Sequence, residues 1–257
     1  MGDCIVRLNQ LIDQLSPAEA RVARYLLDHC QEAIGQPIET VSEACQTSKT
    51  TVVRLCKQLG FKGYKALSIA LSMELASGGE NRISYQDINP GDNIHTIIER
   101  VSQHTQAAIA DTVRVLREED VLRAVDALDK AKRVDFYGAG TSALVALDAQ
   151  QKFQRLCRDT QTSTDPHVQV VIASRLERGD AAVFFSYSGE TEDMLDTLAV
   201  AKRGGAVTIS VTRYGVNRLS RGADIPLYVA SSEMLVRSAA MTSRIAMMHV
   251  VDILYSA

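Results

Sequence analysis

The hexapeptide Ser186-Tyr-Ser-Gly-Glu-Thr191 constrains this chain more than any other stretch. It joins the end of an apolar run, Ala181-Ala-Val-Phe-Phe185, to the start of a helical pattern, and packs three Ser or Thr hydroxyls into six positions. A strand that turns directly into a helix presents backbone N–H groups and the positive end of the helix dipole, and nearby hydroxyls add donors, so such a turn favours an anion. A second unit of this kind lies upstream, where Arg133-Val-Asp-Phe-Tyr137 runs through Gly138-Ala-Gly-Thr-Ser142 into Ala143-Leu-Val-Ala-Leu147. Two such turns on neighbouring parallel strands build one site at the carboxyl edge of a sheet, where open α/β sheets bind ligands. The chemistry points to a phosphorylated small molecule.

Around these units the pattern alternates. Apolar strand candidates are Val134–Tyr137, Ala181–Phe185, Val207–Val211 and Pro226–Val229, with a weaker fifth near Gln161–Thr164. Helices at about 92–116 and 119–131 precede them, and the alternation predicts a parallel, five-stranded, three-layer α/β domain over 92–257. The first 77 residues carry helical periodicity instead, with no strand alternation. Ser77-Gly-Gly-Glu-Asn-Arg82 and Asn89-Pro-Gly-Asp92 break the pattern, so 1–77 is an all-α domain and 78–91 a linker.

Composition narrows the function classes. With 257 residues, 46% apolar, and a net charge of −3, the chain is not a globally basic nucleic-acid binder, although a local patch remains open. No apolar run reaches membrane-spanning length and the N-terminus has no signal-peptide core, so no membrane partner is expected and the cytoplasm is the expected location. Cys4, Cys30, Cys45, Cys56 and Cys157 show no C-x-x-C pair, and the histidines show no metal-ligand spacing, so reduced core thiols and no metal or other cofactor are expected.

Within the helical domain, Ser16-Pro-Ala-Glu19 forms a capping box with Pro17 at the first helical position. A short helix, 38–45, carries Val41 and Ala44 inward. After a tight turn, Ser48 caps a helix over 49–59 whose Val52, Leu55 and Leu59 face the core and which closes on Gly60. This is a helix-turn-helix, with Lys49, Thr50, Val53, Arg54 and Lys57 outward. From Cys45 to Met73 there are five basic residues (Lys49, Arg54, Lys57, Lys62 and Lys65) and no acidic one. Such a patch suits phosphate neutralisation on DNA, although a basic helix face is also commonly just solvated.

Taken together, the chain resembles the RpiR family of bacterial transcriptional regulators, which join a helix-turn-helix domain to a sugar isomerase (SIS) domain. The resemblance spans the chain. It rests on Leu15-Ser-Pro-Ala-Glu-Ala-Arg-Val-Ala, on Ser48 through Phe61 with the following Lys62-Gly-Tyr-Lys-Ala-Leu67, and on the two hydroxyl turns, which are similar to the phosphosugar loops of SIS domains. Asp148–Phe153 and Leu235–Arg244 are similar to stretches of the MurR type, repressors that answer to N-acetylmuramic acid 6-phosphate. Family members usually continue beyond the position of Ala257 with a further helical segment, which bears on part of a subunit interface.

The resemblance implies a regulator rather than an enzyme, acting on a DNA operator as a homodimer or homotetramer. It carries ligand contacts onto Thr141, Ser142, Ser186, Ser188 and Thr191, with Gly140 and Gly189 allowing close backbone approach and Tyr187 contributing main chain. Glu233, near Arg237 and Ser238, is placed against the sugar. For DNA the candidates are Ser48, Lys49, Thr50, Thr51, Arg54 and Lys57, with Lys62 and Lys65 on backbone phosphate. Ordinary helix capping by Ser and Thr is the competing reading of each single hydroxyl. An isomerase or etherase with an appended helical domain is the competing function; it would need a base such as Glu233, since Glu190 suits turn formation better, and His167 can serve the pocket edge or a cap.

Overall fold

In the first unit of the chain, Met1–Gln86, helix boundaries follow from their capping residues. The computed structural model describes residues 4–76, 88, 91–156, 158–231 and 240–257. Here α1 (Cys4–Leu11), α2 (Pro17–Asp28), α3 (Cys30–Ala33), α4 (Ile38–Ala44), α5 (Lys49–Gln58) and α6 (Tyr64–Ala76) follow one another without a strand. At the start of α2 the Glu19 carboxylate accepts the Ser16 N–H at 3.1 Å, the returning half of a capping box. Ser48 caps α5 by accepting the Thr51 N–H at 3.2 Å. Gly60, at φ +86°, ends that helix, with Phe61 N–H donating to Cys56 O and Gly60 N–H to Lys57 O.

Val52, Leu55 and Leu59 are buried with Leu8, Val22, Leu26, Leu67 and Leu71, as the helical period requires. Ala44 departs from the expectation: it is exposed, and Ser42 and Cys45 join Val41 inside. Val41 and Cys45 are four apart and share a face, whereas α4 ends at Ala44, on its flank. The four described cysteines are buried, and Cys157 lies outside the described residues.

The second unit, Asp87–Ala257, begins inside the stretch expected to be a linker, most of which lies outside the described residues. It comprises α7 (Ile94–Val115), α8 (Glu118–Lys130), β1 (Val134–Gly138), α9 (Thr141–Gln154), α10 (Pro166–Ala173), β2 (Ala181–Phe185), α11 (Glu192–Gly204), β3 (Val207–Arg213), α12 (Arg218–Gly222), β4 (Ile225–Val229) and α13 (Met241–Ser256). The four described strands are parallel in the order β1-β2-β3-β4, with Gly138 opposite Phe185 and Phe185 opposite Val211.

Strand alternation then sorts the core into two layers. Phe136, Val183, Phe185, Ile209, Val211 and Val229 pack with residues of α8, α9 and α13, while Tyr137, Ala182 and Phe184 pack with α10, α11 and α12. Among the described residues no helix is long and apolar enough to cross a membrane.

The expected fifth strand at 161–164 does not form. Val134 and Phe136 donate to the carbonyls of Asp159 and Gln161, but the Gln161 N–H goes to the Asp135 carboxylate at 2.9 Å instead of returning to the β1 backbone. Only an isolated parallel bridge between Arg133 and Asp159 is left. Asp135 is itself buried, held by the Arg133 guanidinium at 2.8 Å and by the Tyr137 hydroxyl at 3.2 Å. The side chain that breaks the ladder thus belongs to a satisfied polar cluster.

Candidate functional site

The connections after β1 and β2 leave the sheet toward opposite faces. The turn after β1 leads into α9, on the layer with α13, and the turn after β2 leads into α11, on the layer with α10 and α12. The carboxyl ends of β1 and β2 therefore flank a topological switch point, the crevice where open α/β sheets take their ligands. The structure places Gly140, Thr141, Ser142, Ser186, Tyr187, Ser188, Gly189 and Thr191 at these two strand ends.

The first turn is held open by its glycines. Gly138 must be glycine because an added Cβ would stand 2.5 Å from Ser142 O. Gly140 adopts φ +56°, ψ −126°, and an added Cβ would meet nothing within 4 Å, so its requirement is conformational and the space before it is open. As the N-cap of α9 it supplies no side-chain oxygen, and no acidic residue occupies the first turn. Thr141 is exposed there and Ser142 half-buried.

The second turn is tied internally. Ser186, buried, accepts the Gly189 N–H at 3.2 Å and pairs with the Thr191 hydroxyl at 3.1 Å. Ser188 accepts the Glu190 N–H at 3.2 Å, and the Tyr187 hydroxyl donates to Ser231 O at 2.9 Å, so its ring is committed to the protein. Gly189, at φ +68°, lies so close to Asn217 that a Cβ would stand 2.0 Å from its Oδ1. Glu190 accepts the backbone N–H of Arg218 at 3.0 Å, organising the turn rather than standing as a base.

None of these hydroxyls caps its own helix. Side chains cap α5, α7, α10 and α12 through Ser48, Asn93, Asp165 and Asn217, whereas α9 and α11, like α4 and α8, have no side-chain cap. The ordinary capping reading of the Ser and Thr cluster therefore fails where the cluster lies. The two turns are unequal as anion seats, since α11 carries Glu192 and Asp193 in its first turn and α9 carries no acid. Glu192 is offset by an ion pair with Arg218 at 2.5 Å.

His167 is exposed, with its backbone N–H bonded to Asp165 at 2.8 Å. Glu233, Arg237 and Ser238 lie outside the described residues. Sequence reasoning missed Gln169 and Arg213. Gln169 is buried and donates from one amide nitrogen to both Gly138 O and Ser163 O at 2.7 Å, bracing the first turn. Arg213 closes β3, where a cation after the apolar run Val207–Val211 was the available signal. Among the described residues no three His, Cys, Asp or Glu side chains gather to hold a metal.

On the helix-turn-helix, Lys49, Thr50, Arg54, Lys57, Lys62 and Lys65 are exposed, with Thr51 half-buried. Two of the expected DNA cations already have protein partners. Lys49 pairs with Glu39 at 2.5 Å, and the Arg54 Nε pairs with Glu19 at 2.6 Å. Glu19 is buried and also accepts from Gln58 at 3.2 Å, so it ties the start of α2 to α5. Burial alone would raise its pKa, but bonds from Ser16 and Arg54 outweigh it and hold the carboxyl below the ordinary glutamate range.

Residues 3–78 match the helix-turn-helix domain of the rpiR family, and residues 127–257 match the SIS domain. The chain belongs to the rpiR family. It is 35% identical to an uncharacterized HTH-type transcriptional regulator of Caldanaerobacter subterraneus subsp. tengcongensis, over 99% of this chain and 90% of that protein. It is 36% identical to the uncharacterized HTH-type transcriptional regulator YbbH of Bacillus subtilis, over 94% of this chain and 85% of that protein. Among solved structures, Vibrio vulnificus NanR complexed with ManNAc-6P matches with a TM-score of 0.60 and 25% identity, covering 98% of this chain and 90% of that one.

Proposed function

We propose that this rpiR-family chain is a DNA-binding repressor of sugar or amino-sugar catabolism, acting in the cytoplasm and controlled by a phosphosugar held at the carboxyl ends of β1 and β2. The observation that carries the reading is the pair of strand-turn-helix units at a switch point, both without side-chain caps and both lined with hydroxyls. The phosphate sits over the acid-free N-terminus of α9, with the sugar toward the second turn. The NanR complex, whose ligand is ManNAc-6P, supports an amino-sugar phosphate as the effector class, and the MurR resemblance names N-acetylmuramic acid 6-phosphate.

The DNA contacts fall on α5 and the Lys62–Lys65 stretch. In a homodimer or homotetramer two such units read half-sites roughly 34–36 Å apart, and the effector acts by binding one arrangement better than the other. Among the described residues the two turns supply anion-binding groups without a free paired acid and base, since Glu190 is engaged with the Arg218 N–H. Calorimetric titration with phosphosugars, with product analysis of the same samples, tests the reading. Binding without conversion is expected, and turnover at about 1 s⁻¹ or faster overturns it in favour of an enzyme.

A further inference from the structure

Arg213 is the last residue of β3, the strand beside β2, and its backbone N–H donates to Tyr187 O at 2.9 Å. It is therefore level with the second hydroxyl turn. Alternation puts its side chain on the same side of the sheet as Ile209 and Val211, the side to which the first turn leads through α9. Arg213 is half-buried, and its Nε, which is buried, has no hydrogen-bond partner among the described residues. No described acid forms an ion pair with it: Glu190 is taken by the Arg218 N–H, Glu192 by the Arg218 guanidinium, and Asp224 by Lys202 and Thr208.

A half-buried guanidinium that meets no described acid is stabilised by an anion brought to it, and its planar fork suits a carboxylate. Position fixes which part of a ligand it meets. Adjacent strands lie about 4.8 Å apart, so the end of β3 is ~10 Å from the end of β1, where the acid-free helix N-terminus receives the phosphate. A second anionic group on the ligand, at the far end from the phosphate, falls to Arg213.

We propose that Arg213 reads a carboxylate on the effector, so that the ligand class is phosphorylated sugar acids rather than neutral phosphosugars. This rests on the phosphosugar reading of the two turns. The probes are matched pairs differing in the carboxylate: N-acetylmuramic acid 6-phosphate against N-acetylglucosamine 6-phosphate, and 6-phosphogluconate against glucitol 6-phosphate. In calorimetric titration of the full chain, the acid of at least one pair is expected to bind about tenfold or more tighter, the size of a charge-assisted bond.

Arg213→Met, which keeps the apolar stem, should erase that preference while retaining the neutral probe's affinity, and Arg213→Lys should restore part of it. A wild-type protein with no preference in either pair, or a preference that survives in Arg213→Met, overturns the proposal and leaves the phosphosugar reading intact. If the wild-type protein binds none of the four, the phosphosugar reading fails and the proposal with it.

Discussion

Two regions of this molecule are proposed to meet phosphate, and they are built differently. On the helix-turn-helix, α5 has its N-terminus capped by Ser48, and Lys49 and Arg54 spend their charge on Glu39 and Glu19. At the sheet edge the N-termini of α9 and α11 have no side-chain cap, and Arg213 has no described acid beside it. A DNA face meets many phosphates at low cost each, so cations can be shared with the protein and affinity recovered by number. A small-molecule site meets one or two anions and must keep its strongest donors in reserve. On the proposed reading, the difference teaches that exposed charge is a poor marker of where a protein holds a small anion, and a cation without an acid partner a better one.

The largest expected effect tests the sheet edge. Ser142→Ala with Ser188→Ala should abolish the stabilisation that a phosphosugar confers, about 2.7 kcal/mol at a hundredfold excess over Kd, while leaving the unliganded melting temperature unchanged. Thermal melts with and without ligand read this directly, and undiminished stabilisation would remove both hydroxyls from the site.

The next effect concerns the helix-turn-helix, where Arg54 has two readings. If it holds α5 against α2, Glu19→Gln should cost about 1–2 kcal/mol, less than a fully buried pair because Arg54 is 58% exposed, and DNA affinity should fall with stability. If Arg54 instead reads a base edge, freeing it from Glu19 should leave operator affinity unchanged or raised, while Arg54→Ala should cost roughly 1–3 kcal/mol and relax discrimination.

The pH dependence separates the protein's own pair from the DNA contact. Glu19 titrates below the ordinary glutamate value when folded, so its stabilisation is complete above about pH 4.3 and is lost as pH falls through the folded value. The melting-temperature gap between parent and Glu19→Gln should therefore close on acidification. A gap independent of pH would assign the loss to packing.

The smallest effect sharpens the comparison. Lys65 is exposed and forms no ion pair with a described acid, so Lys65→Ala should weaken binding to operator and random duplexes alike and lower the salt slope by about one unit. Equilibrium binding across a salt series measures it, and an unchanged slope would mark Lys65 as solvated surface.

Much of the fold was legible in the sequence because it is locally encoded. The Ser16 and Ser48 caps, the Gly60 stop and the four apolar strands depend on residues a few positions apart, and each is found within a residue or two of where the pattern places it. The failures are tertiary. Asp135 intercepts a ladder bond from a segment 26 residues away, Arg54 finds Glu19 at a separation of 35, and neither partnership leaves a periodic trace. At the ligand site the turns were visible as motifs, whereas Arg213 became informative only when its lack of partners could be seen. That property belongs to the folded neighbourhood and has no counterpart in a string of letters.

Gly189 offers one more consequence. Its carbonyl accepts the Leu219 N–H at 3.0 Å, its missing Cβ makes room for Asn217, and Glu190 beside it holds the Arg218 N–H. The second turn and the start of α12 are thus fastened together by bonds within the chain. A turn held by bonds within the chain surrenders little disorder when a ligand fills it, so the second turn contributes to recognition by fit rather than by ordering.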